Sequence, residues 1–103
     1  MAVVKITKDN FEAEVLQKEG KVLLDFWATW CMPCQKIAPV IEEVAQEDES
    51  ITVGKIDVDE ERELAIRFGI TSIPTLIVME KGQPVAKALG YHSKAEVEKL
   101  LGN

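Results

Sequence analysis

The sequence of 103 residues is 47% apolar and 29% charged. That is the balance of one soluble globular domain spanning 1-103, and it excludes multidomain and disordered readings. A chain of this size buries about 60 to 65% of the surface its unfolded form exposes, so its two cysteines are not needed as staples. Twelve Lys and Arg against eighteen Asp and Glu leave a net charge of −6, the wrong sign for gripping a phosphate backbone, and nucleic acid is not an expected ligand.

Apolar runs such as Val22 to Leu24 and Leu76 to Met79 fall far short of the roughly 20 residues that cross a bilayer, so no membrane partner is expected. The start, Met1-Ala2-Val3-Val4-Lys5, lacks the basic residues, long apolar run and small-residue cleavage site of a secretory signal. A cytoplasmic protein is the expectation.

In chain order, Val3-Val4-Lys5-Ile6 reads as a first strand, and Thr7 or Asp9 is expected to cap a helix carrying Phe11, Val15 and Leu16 that ends near Gly20. Val22 to Trp27 is apolar on both faces except for Asp25, the pattern of a central strand covered on both sides. After Ala28-Thr29-Trp30-Cys31-Met32-Pro33-Cys34, residues Ile37, Val40, Ile41, Val44 and Ala45 recur at helical spacing to about Asp48, with Pro39 expected to kink the helix. Ile51 to Val58 is a third strand, and Glu60 to Phe68 a short helix closed by Gly69. Pro74 to Met79 is a fourth strand, Lys81-Gly82-Gln83-Pro84 a turn, and Val85 to Leu89 a fifth strand broken by Gly90. Ser93 then caps a last helix that buries Val97, Leu100 and Leu101. This order predicts an α/β fold: a mixed sheet, parallel where helices cross over and antiparallel at the final hairpin, with helices on both faces.

Two cysteines placed at random in such a chain stand in C-x-x-C spacing in about 2% of arrangements, so Cys31 and Cys34 carry meaning. Following a core strand, Cys31 falls at a helix N-terminus, where unpaired amides and the macrodipole favour a thiolate; it is the expected nucleophile. Cys34, on nearly the same helical face and one turn deeper, is the expected resolving thiol. Pro33 fits the first turn and stiffens the ring, which tunes how easily a disulfide there is reduced. The same spacing also supplies two zinc thiolates, but the chain offers only His92 and carboxylates as further ligands. A cluster shared between two chains and a purely structural disulfide are further alternatives.

Asp25 lies between Leu24 and Phe26, where burial opposes ionisation and should raise its proton affinity. It is placed to accept the proton of Cys34 through a water. The plainer alternatives are an edge position or a pairing with Lys55 on the neighbouring strand. Nothing chemical stands at a fixed spacing from His92, Met79 or Phe11, which are assigned to surface or core packing.

Asp25-Phe26-Trp27-Ala28, Trp30 to Cys34, Ile37-Ala38-Pro39, Lys55-Ile56-Asp57-Val58-Asp59, Phe68 to Leu76 and Gly90 together resemble the thioredoxin family, in its order and spacing over nearly the whole chain. The resemblance implies the thioredoxin fold, a central mixed five-stranded sheet flanked by four helices. It further implies a dithiol that reduces the disulfides of client proteins, needs no bound cofactor, works as a monomer and is recharged by a thioredoxin reductase. Carried over by residue, it makes Cys31 the attacking and Cys34 the resolving thiol, and Asp25 the buried acid/base with Lys55 nearby. It implies a cis bond between Ile73 and Pro74 facing the cysteines, and an apolar docking groove rimmed by Trp30, Ile73 and Gly90, where the Ile73 backbone pairs with an extended client segment. Trp27 is expected to prop the loop from below.

The chain departs from the family at Met32-Pro33, where Gly-Pro is usual, and at Gln35, where Lys is usual. Met32 adds a flexible, polarisable side chain where partners approach and is expected to alter which reductase fits. Two rival functions share this fold: a disulfide oxidase or isomerase, and a non-redox binding subunit that uses the same groove.

Overall fold

A computed structural model of the protein describes residues 3–102. Five strands, β1 (Val3–Lys5), β2 (Lys21–Trp27), β3 (Thr52–Asp57), β4 (Thr75–Glu80) and β5 (Gln83–Leu89), form one sheet in the order β1-β3-β2-β4-β5. β3 runs parallel to β1 and β2, whereas β4 runs antiparallel to β2 and β5. The expected mixed sheet is therefore present, with β2 at its centre.

Among the described residues four helices cover it: a π-helix (Glu12–Leu16), α1 (Met32–Glu47), α2 (Arg62–Arg67) and α3 (Lys94–Leu100). Alternation along β2 divides the core. Val22, Leu24 and Phe26 join Phe11, Val15 and Leu64 under the π-helix and α2, while Leu23 joins Ile37, Ile41, Val44 and Val97 under α1 and α3. Asp25 shares the parity of Leu23, so it belongs to the α1 face. Among the described residues no helix is long and apolar enough to cross a membrane.

Neither Thr7 nor Asp9 caps the first helix. Its N-cap is Phe11 with no side-chain cap bond, and Asn10 organises the turn instead: its Oδ1 accepts from Thr7 N–H at 2.8 Å and its Nδ2 donates to Lys5 O at 2.9 Å. The amide of Gln17 reaches Glu12 O at 2.9 Å, a span of five residues that widens the helix to the π form. The final hairpin is also tighter than expected. Lys81 (φ 53°) and Gly82 (φ 76°) form a two-residue turn, so β5 begins at Gln83 and takes Pro84 into a sheet edge, where a missing amide is tolerated. Gly69 does close α2 in the left-handed conformation, at φ 66°. Ser93 builds a complete capping box with Glu96, and α1 runs from Met32 to Glu47 with Pro39 inside it.

Candidate active site

β2 ends at Trp27, and the chain crosses Ala28, Thr29 and Trp30 before Cys31 becomes the N-cap of α1, with Pro33 in the first turn. Cys31 and Cys34 are joined as a disulfide, their Cα atoms 5.2 Å apart. The Cys34 amide donates to Cys31 Sγ at 3.2 Å. One of the orphan donors of a sixteen-residue helix is thus aimed at the sulfur that would carry charge after reduction. Both cysteines are almost covered, Cys31 5% exposed and Cys34 3%, so position on the helix distinguishes the two sulfurs better than exposure does.

Three segments far apart in sequence meet this pair. Ile73 O lies 3.8 Å from Cys31 Sγ, the Ile73-Pro74 bond is cis, and Gly90 N–H donates to Pro74 O at 2.8 Å. Trp27, Val58 and Ile73 pack against Ala28 and the two cysteines. Trp30 and Met32 stand out beside them at 68% and 65% exposure, although they are large apolar side chains. Trp30 is not loose: its Nε1–H donates to Asp59 Oδ2 at 2.8 Å.

Two residues before the end of β2, Asp25 is fully buried, which removes the edge-strand alternative. It stands opposite Lys55 in the parallel register of β2 and β3, yet among the described residues neither carboxylate oxygen has a hydrogen-bond partner. Burial in this apolar layer pushes the Asp25 carboxyl up from 3.8 to about 6, against the opposing pull of the Lys55 ammonium. Lys55 lies with Nζ 4.5 Å from the centre of the Trp27 ring. Lys55, Trp27, Thr29 and Glu42 share the lining of an open cleft of about 350 Å³ between sheet edge and helix.

The thioredoxin family model matches residues 2–103. The chain belongs to the thioredoxin family. It is 47% identical over 102 residues to thioredoxin of Bacillus subtilis, covering 98% of this chain and 96% of that one. It is 46% identical over 103 residues to thioredoxin of Mycobacterium tuberculosis (strain ATCC 25618 / H37Rv), covering 99% and 89%. A bifunctional thioredoxin reductase/thioredoxin of Mycobacterium leprae is 47% identical over 101 residues, 97% of this chain and 22% of its own length. The fold expected of the family is the fold observed, and the chain is a thiol-disulfide oxidoreductase of the protein-disulfide reductase type.

The structure thus gathers Cys31, Cys34, Trp30, Met32, Pro33, Ile73, Pro74 and Gly90 at one end of the sheet, with Asp25 and Lys55 paired in register on β2 and β3. Phe11 and Met79 are core residues, and His92 lies at the surface with Nε2 3.0 Å from Leu89 O. Three supports escaped the sequence reading. Asp59 holds Trp30, and is itself placed by Asp57, whose Oδ1 accepts from the Asp59 amide at 2.9 Å. Gln35 ties the first turn of α1 to the preceding loop, its Nε2 donating to Thr29 O at 3.1 Å. Tyr91, next to Gly90, is half exposed. The Asp-x-Asp spacing of residues 57 to 59 signalled the turn that places Asp59, since Asp accepts readily from an amide two residues on, but not the bond to Trp30. Among the described residues no three His, Cys, Asp or Glu side chains gather to hold a metal ion.

Proposed function

We propose that this chain, acting as a single-domain monomer in the cytoplasm, transfers electron pairs from a thioredoxin reductase to disulfides of client proteins. Cys31 as thiolate attacks one sulfur of the client disulfide, forming a mixed disulfide and expelling the other client sulfur, which takes up a proton. Cys34, giving its proton to Asp25 by way of water admitted near Lys55, then attacks Cys31 Sγ. The client leaves with two thiols and the Cys31-Cys34 disulfide is restored. Two electrons move, and the reductase returns them.

The observation that carries this reading is the Cys34 amide aimed at Cys31 Sγ at the head of α1, which favours charge on Cys31 over Cys34. The groove supports it: exposed Trp30 and Met32 give apolar contact, Pro33 and Gly90 leave room for close approach, and the Ile73 backbone before the cis bond is available to an added strand. The relative from Mycobacterium leprae, in which reductase and thioredoxin are one polypeptide, supports a reductase as electron donor.

The test is reduction of insulin by catalytic amounts of the protein with dithiothreitol, paired with trapping. Cys34→Ser should accumulate a mixed disulfide with insulin chains and Cys31→Ser should capture none. Equal capture by both variants would reverse the two roles, and no insulin reduction by the unaltered chain would remove the reading.

A further inference from the structure

Beside the cysteines lies a depression of about 650 Å³ lined by Pro33, Lys36 and Tyr91. Pro33 stands between the two cysteines, and Tyr91 follows Gly90, whose amide is bonded to Pro74 O. The depression therefore borders, through Pro33 and Tyr91, the residues expected to rim the docking groove. Its polar groups are of one kind. Lys36 is exposed and makes no ion pair among the described residues, whereas nearby Lys94 is held by Glu43 and Glu47, and His92 by Leu89 O and Glu96. Tyr91 is 51% exposed, and its hydroxyl has no partner among the described residues. An ammonium and a phenol, both free to donate, flank an apolar floor with no carboxylate in the lining among the described residues.

We infer that the Pro33-Lys36-Tyr91 shelf selects among clients, favouring disulfide segments that carry an Asp or Glu side chain within a few residues of the attacked cysteine. The inference rests on the proposed client-reduction reading and adds the chemistry of the client. A carboxylate seated there accepts from Lys36 Nζ and the Tyr91 hydroxyl while the flanking chain lies on the Tyr91 ring and Pro33. The chain as a whole, at −6, repels acidic segments. Lys36, without an ion pair among the described residues, therefore decides locally what the distant field opposes.

The experiment uses the full chain and short disulfide-bonded peptides that differ by Glu, Gln or Lys at each of the two residues either side of the attacked cysteine, with kcat/KM for reduction measured at low and high salt. At one or more positions the Glu peptide should be reduced on the order of fivefold faster than the Lys peptide, the size of an exposed pair's effect. Half a molar NaCl should compress that ratio. Lys36→Glu should invert it, and Tyr91→Phe should lower it partway by removing the second donor. A Glu-to-Lys ratio that is the same in the unaltered chain and in Lys36→Glu overturns the inference while leaving the reductase reading intact. Failure to reduce any peptide removes both.

Discussion

Asp25 and Lys55 occupy partner positions in the parallel register of β2 and β3, but the ammonium sits over the Trp27 ring and the carboxylate has no hydrogen-bond partner among the described residues. An unpartnered buried carboxylate costs stability whenever it is ionised. The folded chain holds the Asp25 proton up to about pH 6 and the unfolded chain only to 3.8, so between those values the folded state binds more protons and stability falls as pH rises. At about 1.4 kcal/mol per pH unit, that window is worth about 3 kcal/mol at neutral pH.

Asp25→Ala escapes this cost and incurs only a small packing loss. It should be about 1 to 2 kcal/mol more stable than the unaltered chain at pH 7 and no more stable below about pH 3, where Asp25 is neutral in both the folded and the unfolded chain. Urea unfolding of the oxidised proteins at the two pH values checks the sign. A variant less stable at pH 7 contradicts the buried-acid assignment. The same variant should resolve mixed disulfides more slowly.

Lys55→Met removes the cation that pulls the Asp25 carboxyl down. Burial is then unopposed, and Asp25 should titrate above 6. Carbon-13 NMR of the Asp25 carboxyl across pH 4 to 9 reads this directly. A midpoint that stays in place would mean the ammonium is too well solvated to act on it.

How far these features could be read from residues alone depends on whether the cause is local. Asp25 in an apolar run, the helix start after Cys31, Gly69 after α2 and the Ser93 cap of α3 each declare themselves within a few residues, and each stands as expected. The π form of the first helix does not. Its five-residue step from Gln17 N–H to Glu12 O goes with Phe11 and Val15 seated in the core under the sheet, which is a tertiary matter. Likewise Pro84 looks like a turn residue, but the Lys81-Gly82 turn is already complete before it, and only the position of β5 at the edge makes a proline in a strand tolerable. Family resemblance supplied Ile73, Pro74 and Gly90, which no spacing links to the cysteines. The bond between Asp59 and Trp30 needed the folded chain because the two lie in different segments, and Tyr91 because only folding sets it beside Pro33 and Lys36.

Met32 is two-thirds exposed at the first position of α1, where the family usually has Gly. A side chain of this size presented to the reductase adds apolar contact with a matched partner and a clash with an unmatched one. Met32→Gly should broaden the set of thioredoxin reductases that recycle the protein, raising kcat/KM severalfold for poor donors and changing it little for the best. If unrelated reductases already recycle the unaltered chain at ordinary rates, Met32 does not discriminate.

Trp30 gains its fixed place from one bond to a charged acceptor, Asp59 Oδ2, and Asp59 is in turn positioned by Asp57 across an Asx turn. An indole so exposed would otherwise sample several rotamers, and a client would have to order it on docking. A hydrogen bond to a charged group contributes about 1.5 to 3 kcal/mol in covered sites and less where water competes, so Asp59→Ala should weaken client binding by roughly 1 kcal/mol, about fivefold in KM. The reduction potential should move little, because neither residue touches the sulfurs. Tryptophan fluorescence anisotropy should fall in the same variant as the ring is released. An unchanged anisotropy would mean that packing, not Asp59, holds the ring, and a shift in potential with constant KM would place Asp59 in the electron-transfer step instead of in client docking.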